Sequence, residues 1–141
     1  MRVLGLDIGE VRVGVAVCDR DGKVASPVAV LDARELARDT RTLSRIVEDY
    51  EAERLVVGMP LTMAGDEGPQ AAAVRAEAER LAGALGLPLE YQDERLSSAE
   101  ARRVMREAGM SEKEQRGALD KVAAAIVLQG WLDGRRGREG R

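Results

Sequence analysis

The stretch Val3-Leu4-Gly5-Leu6-Asp7-Ile8-Gly9-Glu10-Val11-Arg12-Val13-Gly14-Val15-Ala16-Val17-Cys18 decides how the rest of the chain is read. A short apolar run ends in Asp7, and Ile8-Gly9-Glu10 breaks it. Val11, Val13, Val15 and Val17 then alternate with Arg12, Gly14, Ala16 and Cys18. A period of two is the period of a strand, and here its second face is small. Asp19-Arg20-Asp21-Gly22 supplies a hairpin turn, and a third strand is predicted over residues 24–30. Strands joined this tightly form an antiparallel meander.

Beyond the meander the period changes. Leu43, Ile46, Val47 and Tyr50 stand at i, i+3, i+4 and i+7, one apolar stripe of a helix. Residues 54–58 (RLVVG) read as a short buried strand. Val74, Ala78, Leu81 and Leu85 repeat the helical stripe, which Gly86 and Pro88 end in the usual order. Residues 89–92 are the fifth strand. Ser97-x-x-Glu100 is a capping box opening a helix that stops near Gly109, and Ser111-x-x-Glu114 opens a last helical region carrying Leu119, Val122, Ala123, Ile126 and Val127 on one side. The order β-β-β-α-β-α-β-α-α, a meander followed by two crossover units, predicts an α/β fold. Its sheet is mixed and five-stranded, a three-stranded antiparallel meander plus two parallel strands, flanked by helices on both faces. Residues 1–132 form a single domain in this reading, and the Gly/Arg-rich residues 133–141 a flexible C-terminal tail.

Composition removes whole classes of chemistry. In 141 residues there is no histidine, so no Ser-His-Asp triad, Cys-His pair or imidazole zinc ligand is available. A metal here must be held by oxygen. The single Cys18 forms no internal disulfide, and its apolar surroundings predict a buried core thiol. No apolar run reaches the length of a membrane span and the N-terminus opens directly into a strand, which predicts a cytoplasmic protein without a membrane partner.

Acids stand at three places where chemistry gathers. Asp7 ends the first strand next to Gly9, where a ligand can approach the backbone, and carboxylates at the ends of parallel strands share one edge of a sheet. Asp93-Glu94 ends the fifth strand. Asp120 interrupts the otherwise apolar sequence Ala118-Leu119 and Val122-Ala123, and burying it requires a partner. Two of them have a plainer reading too: Asp7 as a turn residue, Asp120 as a first-turn carboxylate on the helix dipole. Together at one edge they would repel one another unless Mg²⁺ or Mn²⁺, one ion or two, neutralised them. Two such ions would activate a water, orient a phosphodiester and stabilise the leaving oxygen without any histidine.

Phosphate contacts have weaker signals. The loop over residues 58–68, with Gly58, Thr62, Gly65 and Gly68, could follow a phosphate backbone or simply connect two elements, and it lacks the GxxxxGK[ST] pattern of a nucleotide loop. From Arg95 onward the chain has 11 basic and 7 acidic residues, against 11 and 18 before it. Arg95, Arg102, Arg103 and Arg106 form a candidate basic face or an ordinary solvated one, since Glu100 and Glu107 are interleaved. With only Tyr50, Tyr91 and Trp131 as aromatics, base-by-base reading of a single strand is not expected. Trp131 could serve a dimer contact or core packing.

Four segments in order resemble one family. Leu6-Asp7-Ile8-Gly9 through Arg12-Val13-Gly14-Val15-Ala16, Val56-Val57-Gly58-Met59-Pro60-Leu61 with Gly65, Asp93-Glu94-Arg95-Leu96-Ser97-Ser98, and Asp120-Lys121-Val122-Ala123-Ala124-Ala125-Ile126-Val127-Leu128-Gln129 are similar to the successive motifs of the YqgF, or RuvX, family, and span nearly the whole chain. The resemblance implies an RNase H-like fold and a hydrolase, a nuclease of pre-16S rRNA 5′-end processing in ribosome biogenesis. The family was earlier regarded as a Holliday junction resolvase, similar to RuvC. Carried over by position, the catalytic and metal-ligating residues are Asp7, Glu94 and Asp120, with Asp93 the contender for the second place. Strand alternation turns Asp93 and Glu94 opposite ways, so one of them faces the metal. Candidate nucleic-acid contacts are Arg12, Thr62, Arg95, Ser97, Ser98, Arg102 and Lys121. Ser97-Ser98 stands where threonines are common in the family, which preserves the hydroxyls.

The implied partners are RNA, branched DNA or ribosomal precursor particles. RNA maturation needs only a monomer, whereas resolving a four-way junction needs two coordinated sites and hence a homodimer. Two other classes compete. Actin-like and sugar-kinase ATPases share an Asp-x-Gly first hairpin but use two lobes, and a non-catalytic nucleic-acid binder would leave the acids structural.

Overall fold

The computed structural model describes residues 1–94, 103 and 105–139, the side chains at 117, 120, 121 and 136–139 excepted. Strands β1 (Arg2–Ile8), β2 (Arg12–Cys18) and β3 (Ala25–Asp32) form the expected antiparallel meander. Helices α1 (Ala33–Arg38) and α2 (Arg41–Tyr50) follow, then β4 (Ala52–Met59), α3 (Pro69–Leu85) and β5 (Leu89–Asp93). The last helix, α4, spans Glu112–Glu139. The sheet order is β3-β2-β1-β4-β5, with β4 parallel to both β1 and β5.

Strand alternation sorts the sheet into two faces. Leu4, Leu6, Val13, Val15, Val17, Leu55 and Val57 point one way, into a core closed by Leu36 of α1, Leu43 of α2 and Val74, Ala78 and Leu81 of α3. Val3, Ala16, Cys18 and Val56 point the other way, under Ala124, Val127, Leu128, Trp131 and Leu132 of α4. Cys18 is buried as expected, and Trp131, only 5% exposed, is used in this core.

The α4 face is built for close approach. A Cβ on Gly5 would stand 2.8 Å from the Leu128 Cβ and 3.2 Å from the Ala124 carbonyl oxygen, and one on Gly14 would stand 3.4 Å from the Ala124 Cβ. Ala124 thus lies over the end of β1 that carries Asp7, while Trp131 and Leu132 lie by Met1 and Val3. The helix therefore runs antiparallel to β1, and its N-terminal turns reach the edge where β1, β4 and β5 all end.

Helix ends follow their sequence signals. Glu114 N–H donates to Ser111 Oγ at 3.1 Å and Ser111 N–H to Glu114 Oε1 at 3.2 Å, the reciprocal capping box at the start of α4. Gly86 and Gly109, at φ +68° and +81°, end their helices in the left-handed conformation glycine tolerates. The Ser97 box lies outside the described residues, but the end of that helix is as anticipated: Gly109 N–H donates to Arg106 O and Met110 N–H to Met105 O.

Three features depart from the sequence reading. α1 was not anticipated; it is a six-residue helix whose cap, Asp32, accepts from the Glu35 amide. The buried stripe of α4 is Ala124, Val127, Leu128, Trp131 and Leu132, rotated from the one expected, because glycines opposite let small residues and backbone fill the contact. And the helix continues past residue 132, into the Gly/Arg-rich stretch, as far as Glu139.

Candidate active site

Asp7 is the next-to-last residue of β1, paired across the ladder with Gly14 and turned to the α4 face by alternation from the buried Leu6. A Cβ on Gly14 would meet the Asp7 Cβ at 3.8 Å, so the missing side chain leaves the carboxylate room. The turn beyond it is held by Gly9 N–H donating to Arg12 O at 2.9 Å, and Ala33 N–H donates to Val11 O at 2.9 Å, which ties the turn to α1. Asp7, Gly9, Val11, Arg12 and Gly14 line an open pocket of about 350 Å³.

Glu94 arrives from the other side. The β4–β5 ladder pairs Met59 with Asp93, and one further bond, Glu94 N–H to Met59 O at 3.3 Å, carries the chain past the strand end. Tyr91 packs into the α3-side core, so Asp93 shares its side and Glu94 takes the α4 side with Asp7. The Glu94 carboxylate lies across Gly58: a Cβ there would stand 2.6 Å from Glu94 Oε2 and 2.9 Å from Val127 Cγ2. Gly58 is thus a cradle for the carboxylate. The sequence shows a glycine ending a strand, but not which side chain occupies the space it leaves.

The electrostatics agree with that placement. Burial, then the charge of Asp7, a hydrogen bond to Asp7 and the charge of Asp93 push the Glu94 carboxyl up to about 7. The structure therefore brings Asp7 and Glu94 together, with Asp93 near enough to act through its charge. Among the described residues no third carboxylate completes a cluster. Asp120 lies on the backbone of α4 one turn before Ala124, at this same edge, with its side chain outside the described set, as is that of Lys121. Two carboxylates brought together, Glu94 pushed up by its burial and then by the charge of Asp7, match the needs of a hard divalent cation.

The remaining candidates divide. Arg12 is exposed at the rim beside Asp7. In the loop after β4, Thr62 Oγ1 accepts from the Asp66 amide at 3.1 Å, Thr62 N–H donates to Asp66 O at 2.9 Å, and Gly65 N–H donates to Thr62 O at 2.8 Å. That hydroxyl shapes the loop first. The loop is also tied to α3 by the Glu67–Arg75 ion pair, and the Arg75 guanidinium lies 4.6 Å from the Tyr91 ring centre. Arg95, Ser97, Ser98 and Arg102 lie outside the described residues.

A meander-led mixed sheet with an acidic pair at the ends of β1 and β5 defines an RNase H-like fold. A Thermus thermophilus RuvC, solved with a Holliday junction substrate, superposes with a TM-score of 0.59 at 17% identity, covering 97% of this chain and 96% of that one. Residues 1–134 match the family model described as RuvX: Holliday junction resolvase, and the chain belongs to that family. A relative from Anaeromyxobacter sp. (strain K), named "Putative pre-16S rRNA nuclease", is 50% identical over 135 residues, 96% of this chain and 98% of its own. One of the same name from Symbiobacterium thermophilum is 48% identical over 98% of this chain and 96% of its own.

Proposed function

We propose that this protein is a divalent-metal-dependent nuclease that hydrolyses phosphodiester bonds in 5′-end processing of pre-16S rRNA. The observation that carries the reading is the Asp7–Glu94 pair. Two carboxylates held face to face, one pushed up to about 7, sit at the edge that α4 brings Asp120 to. Asp7, Glu94 and Asp120 would hold the ion, with Asp93 acting on Glu94 through its charge. Mg²⁺ or Mn²⁺ bound there supplies neutralising charge and an activated water. Arg12 on the rim and Thr62 in the loop after β4 would hold phosphates, and Arg95, Ser97, Ser98, Arg102 and Lys121 would extend that contact.

The RNA substrate follows the name of the half-identical relatives, and a cytoplasmic location goes with that reading. Among the described residues no helix is long and apolar enough to cross a membrane. A second reading, a resolvase of branched DNA, is favoured by the family description and by the RuvC-like fold. It requires a two-fold dimer, whereas the RNA reaction proceeds with a monomer.

The test is cleavage of a labelled 5′-extended 16S precursor beside a four-way DNA junction, with Mn²⁺, Mg²⁺ or EDTA, for wild type and Asp7→Asn. Metal-dependent cutting of the precursor, lost in the variant, is the expected result. Preference for the junction selects the second reading, and cutting that survives Asp7→Asn places the active site elsewhere.

A further inference from the structure

Gln129 reaches from α4 to the backbone of the β2–β3 hairpin, at the opposite end of the sheet from the carboxylates. Its Oε1 accepts from the Ala25 amide at 2.9 Å, and its Nε2 donates to Lys23 O at 2.8 Å and to Asp133 Oδ1 at 3.0 Å. Both hydrogens and the oxygen of the amide are in use. The hairpin it holds is itself braced: Asp19 Oδ1 accepts from the amides of Lys23 at 2.7 Å and Val24 at 3.1 Å, and Asp19 N–H donates to Val24 O at 3.0 Å.

The rest of the α4 contact differs in kind. At Gly5, Gly14 and Gly58 the helix meets the sheet through Ala124, Val127 and Leu128, an apolar, close-fitting track. Such contact resists separation but has no direction, whereas paired hydrogen bonds fix both the rotation and the axial position of a helix. An α-helix transmits that setting along its length. Asp120 stands nine residues before Gln129 on the same helix, about 13.5 Å along the axis at 1.5 Å per residue.

We infer that Gln129 is a positioning residue, pinning α4 to the β2–β3 hairpin so that Asp120 is set at the Asp7–Glu94 edge. The inference rests on the proposed reading of that edge as a divalent-ion site.

The experiment titrates Mn²⁺ into the full chain by calorimetry and measures kcat and KM on the 5′-extended precursor. It compares wild type, Gln129→Met, Gln129→Glu and Val3→Ala. Methionine keeps the length and loses every hydrogen bond. Val3, 1% exposed beneath α4, serves as a variant that loosens the same core without touching the pin. Gln129→Met should weaken Mn²⁺ binding about tenfold and lower kcat about ten- to a hundredfold, with KM within about twofold. Gln129→Glu keeps the acceptor for Ala25 but sets its second oxygen against Lys23 O and Asp133 Oδ1, so its loss should be at least that of methionine, and it decides the matter if methionine prevents folding. Val3→Ala should lower Tm and leave Mn²⁺ affinity as in wild type. Wild-type affinity and kcat in both Gln129 variants overturn the inference, as does an equal loss in Val3→Ala. A wild-type protein that binds no Mn²⁺ overturns the site reading and the inference with it.

Discussion

The two faces of the sheet solve opposite problems. The side under α1, α2 and α3 carries Leu4, Leu6, Val15, Leu55 and Val57, and its stability comes from volume. The side under α4 offers Gly5, Gly14, Ala16 and Gly58 along the same strands, and what it gains is proximity. A helix backbone that nearly touches the sheet brings its N-terminal turns within reach of the strand ends, where Asp7 and Glu94 meet. One face stores stability, and the other spends packing volume on placing charges.

That contrast can be broken from either side. The largest effect should come from Leu55→Ala, which empties a fully buried site on the voluminous face and should cost about 3 kcal/mol in urea unfolding. Its Mn²⁺ affinity should match wild type; a coupled loss would show that the faces are not separable. Gly58→Ala is the converse, adding one methyl where Glu94 Oε2 would be 2.6 Å away. Overpacking should cost about 2 kcal/mol, and calorimetry should show Mn²⁺ binding weakened at least about tenfold, because Glu94 must leave its cradle.

The charged end carries a pH signature. Glu94 is raised in the folded protein from 4.5 to about 7, so its protonated form is favoured by folding. Its contribution is full below about pH 4.5 and is lost as pH rises through 7. Metal-free Glu94→Gln should therefore be more stable than metal-free wild type at pH 8, by on the order of 1–2 kcal/mol after allowance for solvent, with no gain at pH 4. Thermal melts at the two values in EDTA check the sign, and a gain largest at pH 4 would contradict it. Ser111→Ala should give the smallest effect, about 1 kcal/mol, by removing the capping oxygen 3.1 Å from the Glu114 amide. The loss should appear in Tm and not in the pH profile.

Much of this was written along the chain, and what was not has physical reasons. The alternation from Val11 to Cys18 gave the meander, and the small residues of its second face were visible as such. Their purpose was not, since a strand does not show what will be laid on it. The buried stripe of α4 is hidden for the same reason: bulky Leu119, Val122 and Ile126 carry the periodic pattern, whereas a glycine track selects Ala124 and Leu128. α1 is too short for a periodic stripe, with Leu36 alone buried. At the site, alternation established that Asp93 and Glu94 part ways, but only the packing of Tyr91 and the space over Gly58 tell which one turns toward Asp7.

Cys18 lies 1% exposed at the end of the sheet farthest from the carboxylates, its Sγ accepting from the Val3 amide at 3.2 Å. As the chain's one thiol, it can react with an alkylating reagent only when that end of the sheet opens. Its labelling rate is therefore a built-in clock for local opening, readable without introducing a cysteine.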